Sequence, residues 1–493
     1  MNKSKCILII ILLIGILART IAFGELPDQV HVDEVGMGYD AYCLANYSVD
    51  RHLYKFPVYL INYGGGQSAL YAYLAAICVK FFDLSIVTIR LPALICSLIA
   101  LVLTYFLAKK NKDNKLATIF FFLVAISPWH IMQSRWGLDC NLMSSFLIYS
   151  IFFFSLAINK SKLRYFILAG CFFGLTLYTY ALAYITIPIF LFLSLLYLLY
   201  IKKINIKQII VLGIPIFILA MPLILMILIN MGYIPEIRTD YISIPKLSMF
   251  RKGEISIKNV FLNFKPYIES ILGKDNLYYN TISAFGTMYN ISIPFIILGI
   301  VISIKNSRKN KEFNLDIIML FAVISMTICI LITAYPNINK ANAIFIPLLY
   351  FAAIGIKYII EKKDIIRYVI IGIYLIQFFL FSYIYFTTYS KIYGEIRFFE
   401  NKLIEAVSIA DKFENKNVNI LSFYYPRMYI AFATRMSPYD KQDKYIINFN
   451  KEILDYNSVY IIPKRYYIME ELLNNGFECI ESGAYLVLYK GER

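Results

Sequence analysis

Ser68-Ala69-Leu70-Tyr71-Ala72-Tyr73-Leu74-Ala75-Ala76-Ile77-Cys78-Val79-Lys80-Phe81-Phe82-Asp83 decides how this chain is threaded. The stretch is apolar, yet about 15 residues fall short of the roughly 20 that a helix needs to cross a bilayer. The next apolar run, 86 to 108, ends in Lys109, Lys110, Lys112 and Lys115, and short basic loops stay on the cytoplasmic side. If 68 to 83 also crossed, those four lysines would lie outside. The stretch therefore reads as a helix lying on the outer membrane surface, held by Tyr residues that favour that interface.

The same signal orients the rest of the chain. Lys3 and Lys5 precede the first run (6 to 23), and further basic loops fall at Lys160 to Arg164, at Lys202, Lys203 and Lys207, at Lys305 to Lys311, and at Lys362, Lys363 and Arg367. The remaining runs are 116 to 128, 141 to 158, 165 to 180, 182 to 201, 209 to 230, 287 to 304, 314 to 334, 341 to 360 and 366 to 388. The fold expected is an all-α polytopic membrane protein of about 11 spans, with a surface helix in its first external loop. Such threading puts the amino terminus in the cytoplasm and the carboxyl terminus outside the plasma membrane. The first run has no small-residue cleavage site and leads into acidic sequence, so an uncleaved span is expected. Composition agrees: 59% of residues are hydrophobic and 16% charged, against about a quarter charged in soluble domains. The net charge of +16 sits in the inside loops and implies no nucleic-acid partner.

The outer face carries the large polar pieces: the first loop (24 to 85), a short loop at 129 to 140, a longer one at 231 to 286, the turn at 335 to 342, and a tail from 389 to 493. Residues 1–388 form the membrane domain. The tail reads as a small extracytoplasmic α/β domain, with strands at Val418 to Phe423, Ser458 to Ile462 and Ala484 to Tyr489, and a helix from Tyr466 to Asn475 ended by Gly476. Of eight cysteines, Cys6, Cys96, Cys171 and Cys329 lie in spans, and Cys43, Cys140 and Cys479 outside; no spacing suggests a disulfide framework or zinc.

Chemistry concentrates outside. His31-Val32-Asp33-Glu34-Val35-Gly36-Met37-Gly38-Tyr39-Asp40 places adjacent carboxylates before glycines, where backbone can approach a ligand. A carboxylate near apolar surface is a stronger base toward a hydroxyl; the plainer reading is an acidic turn capping the next helix. Ser127-Pro128-Trp129-His130-Ile131-Met132-Gln133-Ser134-Arg135-Trp136-Gly137-Leu138-Asp139-Cys140-Asn141 brings both tryptophans together with His130, Arg135 and Asp139. The tryptophans read as interface anchors. Arg90 and Lys340 sit at the outer rim, where a cation either snorkels to headgroups or, with Arg19 and Arg135, holds a lipid phosphate. No ligand spacing supports a metal site, and a divalent metal is the single cofactor left open.

In order, a first span, the Asp33-Glu34 pair, a Tyr-rich surface helix, Arg90-Leu91-Pro92, and Ser127-Pro128-Trp129-His130 with Ser134-Arg135 and Asp139 resemble the bacterial protein-mannosyltransferase-like members of the glycosyltransferase C superfamily. These are grouped as glycosyltransferase family 39 and include the aminoarabinose transferases of lipid A. The resemblance covers residues 6 to 360. It implies transfer of a sugar from a polyprenyl phosphate to an extracytoplasmic glycan, lipid or protein acceptor in the cell envelope. Asp33 matches the acidic residue expected to act as base or to orient the acceptor, with Glu34 beside it, while Asp139 and Arg135 match the second-loop positions. The catalytic set is then Asp33, Glu34 and Asp139; Arg90, His130, Arg135, Lys340, Tyr39 and Asp40 are the substrate-binding candidates. The chain departs from similar proteins at Gly64-Gly65-Gly66-Gln67-Ser68, where they carry Lys-Pro-Pro, and at Lys340, where they carry Arg.

Two other classes fit parts of the sequence. A lipid-linked saccharide flippase also uses many spans, but should carry midplane charges and repeat symmetry. A membrane-anchored sensor would bind its ligand through the tail and have no need of the acidic pair.

Overall fold

The computed structural model describes residues 3–250, 253–275, 277–307, 312–389, 399–400, 402–421, 425–447, 449 and 454–491. Residues 308–311 of the Lys305 to Lys311 loop and Ser422-Phe423 of the first expected tail strand lie outside these.

Every apolar run is helical. The chain begins with α1 (Lys3–Thr20), the first-loop helices α2 (Val32–Tyr47) and α3 (Leu70–Phe82), and then α4 (Ile86–Asn111), α5 (Asn114–Ile126) and the short α6 (Pro128–Gln133). There follow α7 (Met143–Lys160), α8 (Leu163–Leu177), α9 (Ala183–Tyr200), α10 (Ile206–Met231), α11 (Asn259–Ile271), α12 (Ser292–Ser307), α13 (Leu315–Ile332), α14 (Ile338–Ala341), α15 (Phe345–Lys362) and α16 (Ile366–Thr387). Seven stretches among the described residues are long and apolar enough to cross a membrane, and α3, α5, α8 and α12 are shorter apolar helices. The chain is a multi-pass membrane protein.

Local chemistry sets the helix ends. Ser85 and Asp113 accept backbone N–H groups at the starts of α4 and α5, and Asn205 with Gln208 forms a capping box on α10. At the basic end of the bundle Lys112 pairs with Asp316 at 2.9 Å and Lys357 with Asp113, tying α4, α13, α5 and α15 together.

The first loop holds more structure than its sequence suggests. Its acidic segment is not a solvated turn but the start of α2, whose residues Val35, Met37, Ala41, Cys43 and Leu44 are buried. A helix covered from several sides needs no polar face, so no 3.6-residue period marks it. After α2 come β2 (Tyr59–Asn62) and β3 (Gly65–Ser68), an antiparallel hairpin; β1 is Val30–His31. The hairpin turn is Tyr63-Gly64 with φ +48° and +81°, the positive pair that a two-residue type I′ connection requires.

The tail folds as a five-stranded sheet: Glu478–Ser482, Tyr485–Tyr489, Val459–Pro463, Val418–Ile420 and Tyr445–Ile447, in that spatial order. The first three are antiparallel neighbours and the last three parallel. The helix expected at Tyr466 to Asn475 spans Ile468–Asn474, and Gly476 follows at φ +82°. The strand at 478–482 escaped the sequence reading because it is a largely exposed edge strand. This unit rests on the first loop through the helix Pro426–Thr434: Tyr429 donates to the Val30 carbonyl at 2.9 Å, Tyr39 to the Met436 carbonyl at 3.0 Å, and Arg435 pairs with Asp83 at 2.6 Å.

Candidate functional site

The site is assembled where α2 begins. Asp33 and Glu34 occupy successive positions in its first turn, about 100° apart around the axis, and meet different surroundings. Glu34 points inward and is 1% exposed. Its carboxylate accepts from Arg90 Nε at 2.8 Å and from a terminal guanidinium nitrogen at 3.0 Å, and Oε1 also accepts the Gly137 N–H at 2.6 Å. Arg90 spends its remaining donors on the carbonyls of Gly24, Pro27 and Gln29. One buried ion pair thus joins the first loop, the start of α4 and the second loop.

Asp33 keeps solvent contact, its side chain 30% exposed. Asn62, the last residue of β2, donates to Oδ1 at 2.8 Å. His31 caps α2 by accepting the Asp33 N–H on Nδ1 at 3.1 Å. Burial lowers the His31 pKa, against the opposing pull of Asp33 and Glu34; its ring packs 5.7 Å from both Trp136 and Tyr279. His31 Nδ1 also stands 3.6 Å from the Asp33 carboxylate, an ion pair only with a protonated imidazole, which burial disfavours.

Asp139 approaches from the second loop at 7% exposure. It accepts the Cys140 N–H at 2.8 Å and, across the site, the Ser68 N–H at 3.2 Å. The Gly64 to Ser68 segment is therefore the hairpin strand that grips Asp139. Asp33 and Asp139 lie close enough for their charges to act on each other.

A chain of side-chain amides links this centre to the Lys340 turn. Trp136 Nε1 donates to Asn280 at 2.8 Å, Asn280 to Asn339 at 2.5 Å, and Asn339 to the Tyr279 hydroxyl at 3.2 Å. Asn337 caps α14, and Asp275 accepts the Ile338 N–H at 2.6 Å. Lys340 is half-buried and donates to the Ala334 carbonyl. Trp129 Nε1 donates to Asn342 at 2.7 Å. Both tryptophans are buried, at 0% and 1% exposure: they are interior hydrogen-bond donors, not the interface anchors their sequence suggested.

The other candidates lie further in. Arg135 holds the carbonyls of Ala18, Ile21 and Ala22, and Arg19 holds those of Gly15, Val124 and Ala125 and donates to His130 Nδ1 at 2.6 Å. All three side chains are fully buried. The terminal nitrogens of Arg19 and Arg135 serve the ends of α1 and α5 in this arrangement, while the Nε of each is buried without a hydrogen-bond partner among the described residues. Asp40 is closed off by Arg51, which contacts both carboxylate oxygens from Nε at 3.1 Å and from a terminal nitrogen at 2.8 Å. Gly36 and Gly38 admit protein, not ligand: a Cβ at Gly36 would stand 2.7 Å from Arg51, and at Gly38 2.8 Å from Phe432.

Sequence reading missed Asn62, Arg51, Tyr279, Asn280 and Asn339. Only Asn62 carried a signal, as the residue before the Tyr63-Gly64 turn; the asparagines of the outer loops have no period to betray them. Among the described residues, no group of three or more His, Cys, Asp and Glu is arranged to hold a metal ion.

Known structures share this architecture. ArnT from Cupriavidus metallidurans bound to undecaprenyl phosphate superposes with a TM-score of 0.64 over 99% of both chains at 8% identity, and its apo state with 0.62 at 9% identity. The chain shares the fold of these structures. The archaeal oligosaccharyltransferase AglB from Archaeoglobus fulgidus, in complex with an inhibitory peptide and a dolichol-phosphate, matches at 0.52 over 88% of this chain and 63% of its own, at 14% identity. Residues 67–227 match the family model of dolichyl-phosphate-mannose-protein mannosyltransferases. No curated protein matches the chain in sequence. The chain is thus similar to the mannosyltransferase-like and aminoarabinose-transferase branch that its motif order resembled.

Proposed function

We propose that the protein is an integral-membrane glycosyltransferase that moves a sugar from a polyprenyl phosphate to an acceptor outside the cytoplasm, inverting the anomeric centre. The observation that carries this reading is the contrast inside the acidic cluster. Of Asp33, Glu34, Asp40 and Asp139, Asp33 alone combines a half-exposed carboxylate with the absence, among the described residues, of a Lys or Arg salt bridge; its titratable neighbour is His31, whose Nδ1 lies 3.6 Å away. In this reading Asp33 removes the acceptor proton as the acceptor oxygen bonds to the anomeric carbon. The bond from that carbon to the phosphate oxygen breaks, its electron pair leaving with the lipid phosphate, which needs no general acid. Asp139 shapes the electrostatics opposite Asp33. Lys340 turns from the Ala334 carbonyl to meet the phosphate. Glu34 and Arg90 position the first turn of α2, and Arg135 and His130 support the outer end of α1. Tyr39 and Asp40 hold the face of α2 on which the 389–493 domain is seated over the membrane domain 1–388.

The threading supports an external site: with α3 on the surface, α1 and the ten other apolar helices cross, the amino terminus is cytoplasmic, and α2, α6 and α14 share the outer side. ArnT bound to undecaprenyl phosphate and AglB with a dolichol-phosphate favour a polyprenyl-phosphate carrier. The test is to reconstitute wild type and Asp33→Asn in lipid with a panel of polyprenyl-phosphate sugars and a native membrane extract, and to follow each donor by mass spectrometry. Loss of one donor with wild type alone is expected. Equal survival of every donor in both samples would overturn the assignment.

A further inference from the structure

Helix α11 is amphipathic in the inverse sense. Its inward face is polar: Asn263, Tyr267 and Ser270 are buried. Its outward face is apolar: Phe261 is 90% exposed, Phe264 60% and Ile268 39%, recurring at steps of three and four, with Leu262 beside them at 75% and Ile257, one turn earlier, at 82%. A helix bathed in water turns its apolar stripe to the protein, and contiguous exposed apolar surface of this kind marks contact with a partner or a membrane.

The polar face shows where the helix sits. Asn263 donates to the Leu331 carbonyl at 2.9 Å and to that of Thr333, Asn259 to the Ile332 carbonyl at 3.1 Å, and the Tyr267 hydroxyl bonds Thr327 at 2.6 Å. These carbonyls belong to the last turn of α13 and the residue after it, where a helix has no acceptor-satisfying turn of its own. The helix therefore packs on the end of a stretch apolar enough to span a membrane. Lys258 and Lys265 run along one edge of the stripe and are both exposed, Lys265 pairing with Glu269 at 3.8 Å; among the described residues, Lys258 carries the unpaired charge of that edge that anionic headgroups attract.

We infer that α11 lies in the outer membrane interface, its Phe261, Phe264 and Ile268 stripe immersed in the acyl chains of bilayer lipid and its lysines among the phosphates. Because Asp275, four residues beyond α11, holds the Ile338 N–H, the Lys340 turn is then fixed at the depth of lipid phosphate. The immersion concerns the membrane and stands whether or not a sugar is transferred.

The test places a tryptophan on the stripe. Phe264→Trp, in full-length protein in nanodiscs of phosphatidylglycerol and phosphatidylcholine, is compared with the parent, whose Trp129 and Trp136 are buried, and with Tyr241→Trp on the polar turn between β4 (Ile237–Arg238) and β5 (Ser243–Ile244), where Tyr241 is 88% exposed. Lipids brominated along the acyl chain should reduce the added emission of Phe264→Trp about twofold or more while leaving Tyr241→Trp unchanged. Emission from Phe264→Trp that matches Tyr241→Trp in wavelength and escapes the bromolipid would put the stripe in water. A blue-shifted but unquenched emission would put it under protein. Either result overturns the inference.

Discussion

Glu34 and Asp33 are adjacent in the chain and opposite in circumstance. Glu34 has lost its water and regained it as one guanidinium and one backbone N–H, a satisfied pair that holds three segments together. Asp33 has kept part of its solvent access and has an amide, a capped backbone and the His31 imidazole around it, with no Lys or Arg salt bridge among the described residues. The first arrangement consumes the carboxylate's charge and the second leaves it available. The same division recurs deeper in the loop, where Asp40 is saturated by Arg51 while Asp50, beside it, keeps one buried oxygen without a partner.

The largest expected effect tests the available member. Asp33→Asn should lower donor turnover roughly 10²- to 10⁴-fold, the range for loss of a positioned base, with the thermal midpoint in detergent unmoved. A midpoint that fell with the activity would make Asp33 structural and erase the contrast.

Next comes the consumed member. Arg90→Ala leaves Glu34 buried without its cation and should cost about 3–5 kcal/mol of stability, read as a lower melting temperature in dodecylmaltoside, with Arg90→Lys recovering only part. An unchanged melt would mean the pair is not the junction described.

A smaller effect sharpens the comparison. Asn62→Ala removes the hydrogen bond that aims Asp33 and should reduce kcat by about tenfold, near 1–2 kcal/mol, with KM for the lipid donor little changed. A rise in KM alone would instead assign Asn62 to substrate binding.

The smallest effect concerns Asp50. Its Oδ1 accepts from the N–H groups of His52 and Tyr54, each at 2.9 Å, while burial, and after it the Asp40 charge, push its pKa from the usual 3.8 up to about 7. A carboxyl whose folded pKa is raised binds more protons folded than unfolded, so stability is greatest below pH 4 and declines as pH rises toward 7. Asp50→Asn, which keeps the acceptor and discards the titration, should flatten that decline in a series of melts from pH 4 to 8. An identical slope would show that other groups set it.

The helices at each expected span were legible because a long apolar run bounded by lysines is a local property. So was the helix over 68 to 83, found at Leu70–Phe82. Helix α2 was not, since burial from several sides leaves no alternation to read. Within the site, Asp33, Glu34 and Asp139 were visible as carboxylates out of place beside a membrane. Their partners were not: Asn62 and Ser68 come from a hairpin whose turn is Tyr63-Gly64 rather than the commoner Asn-Gly. Helix α11 was read only as part of the loop from 231 to 286; that its polar side faces inward depends on where α13 ends.

By itself the sequence determined the class of protein, the positions of its apolar helices and the placing of the candidate carboxylates in segments between them. Those features follow from hydropathy and charge summed over neighbouring residues, and the bilayer acts on each segment separately. Tertiary structure decided which carboxylate was neutralised and which was left open. Arg90 lies 56 residues from Glu34 and Gly137 lies 103, while Asn62 lies 29 from Asp33, and no local pattern encodes pairings at such separations. A one-residue rotation around a helix, about 100°, was enough to give neighbouring carboxylates opposite roles.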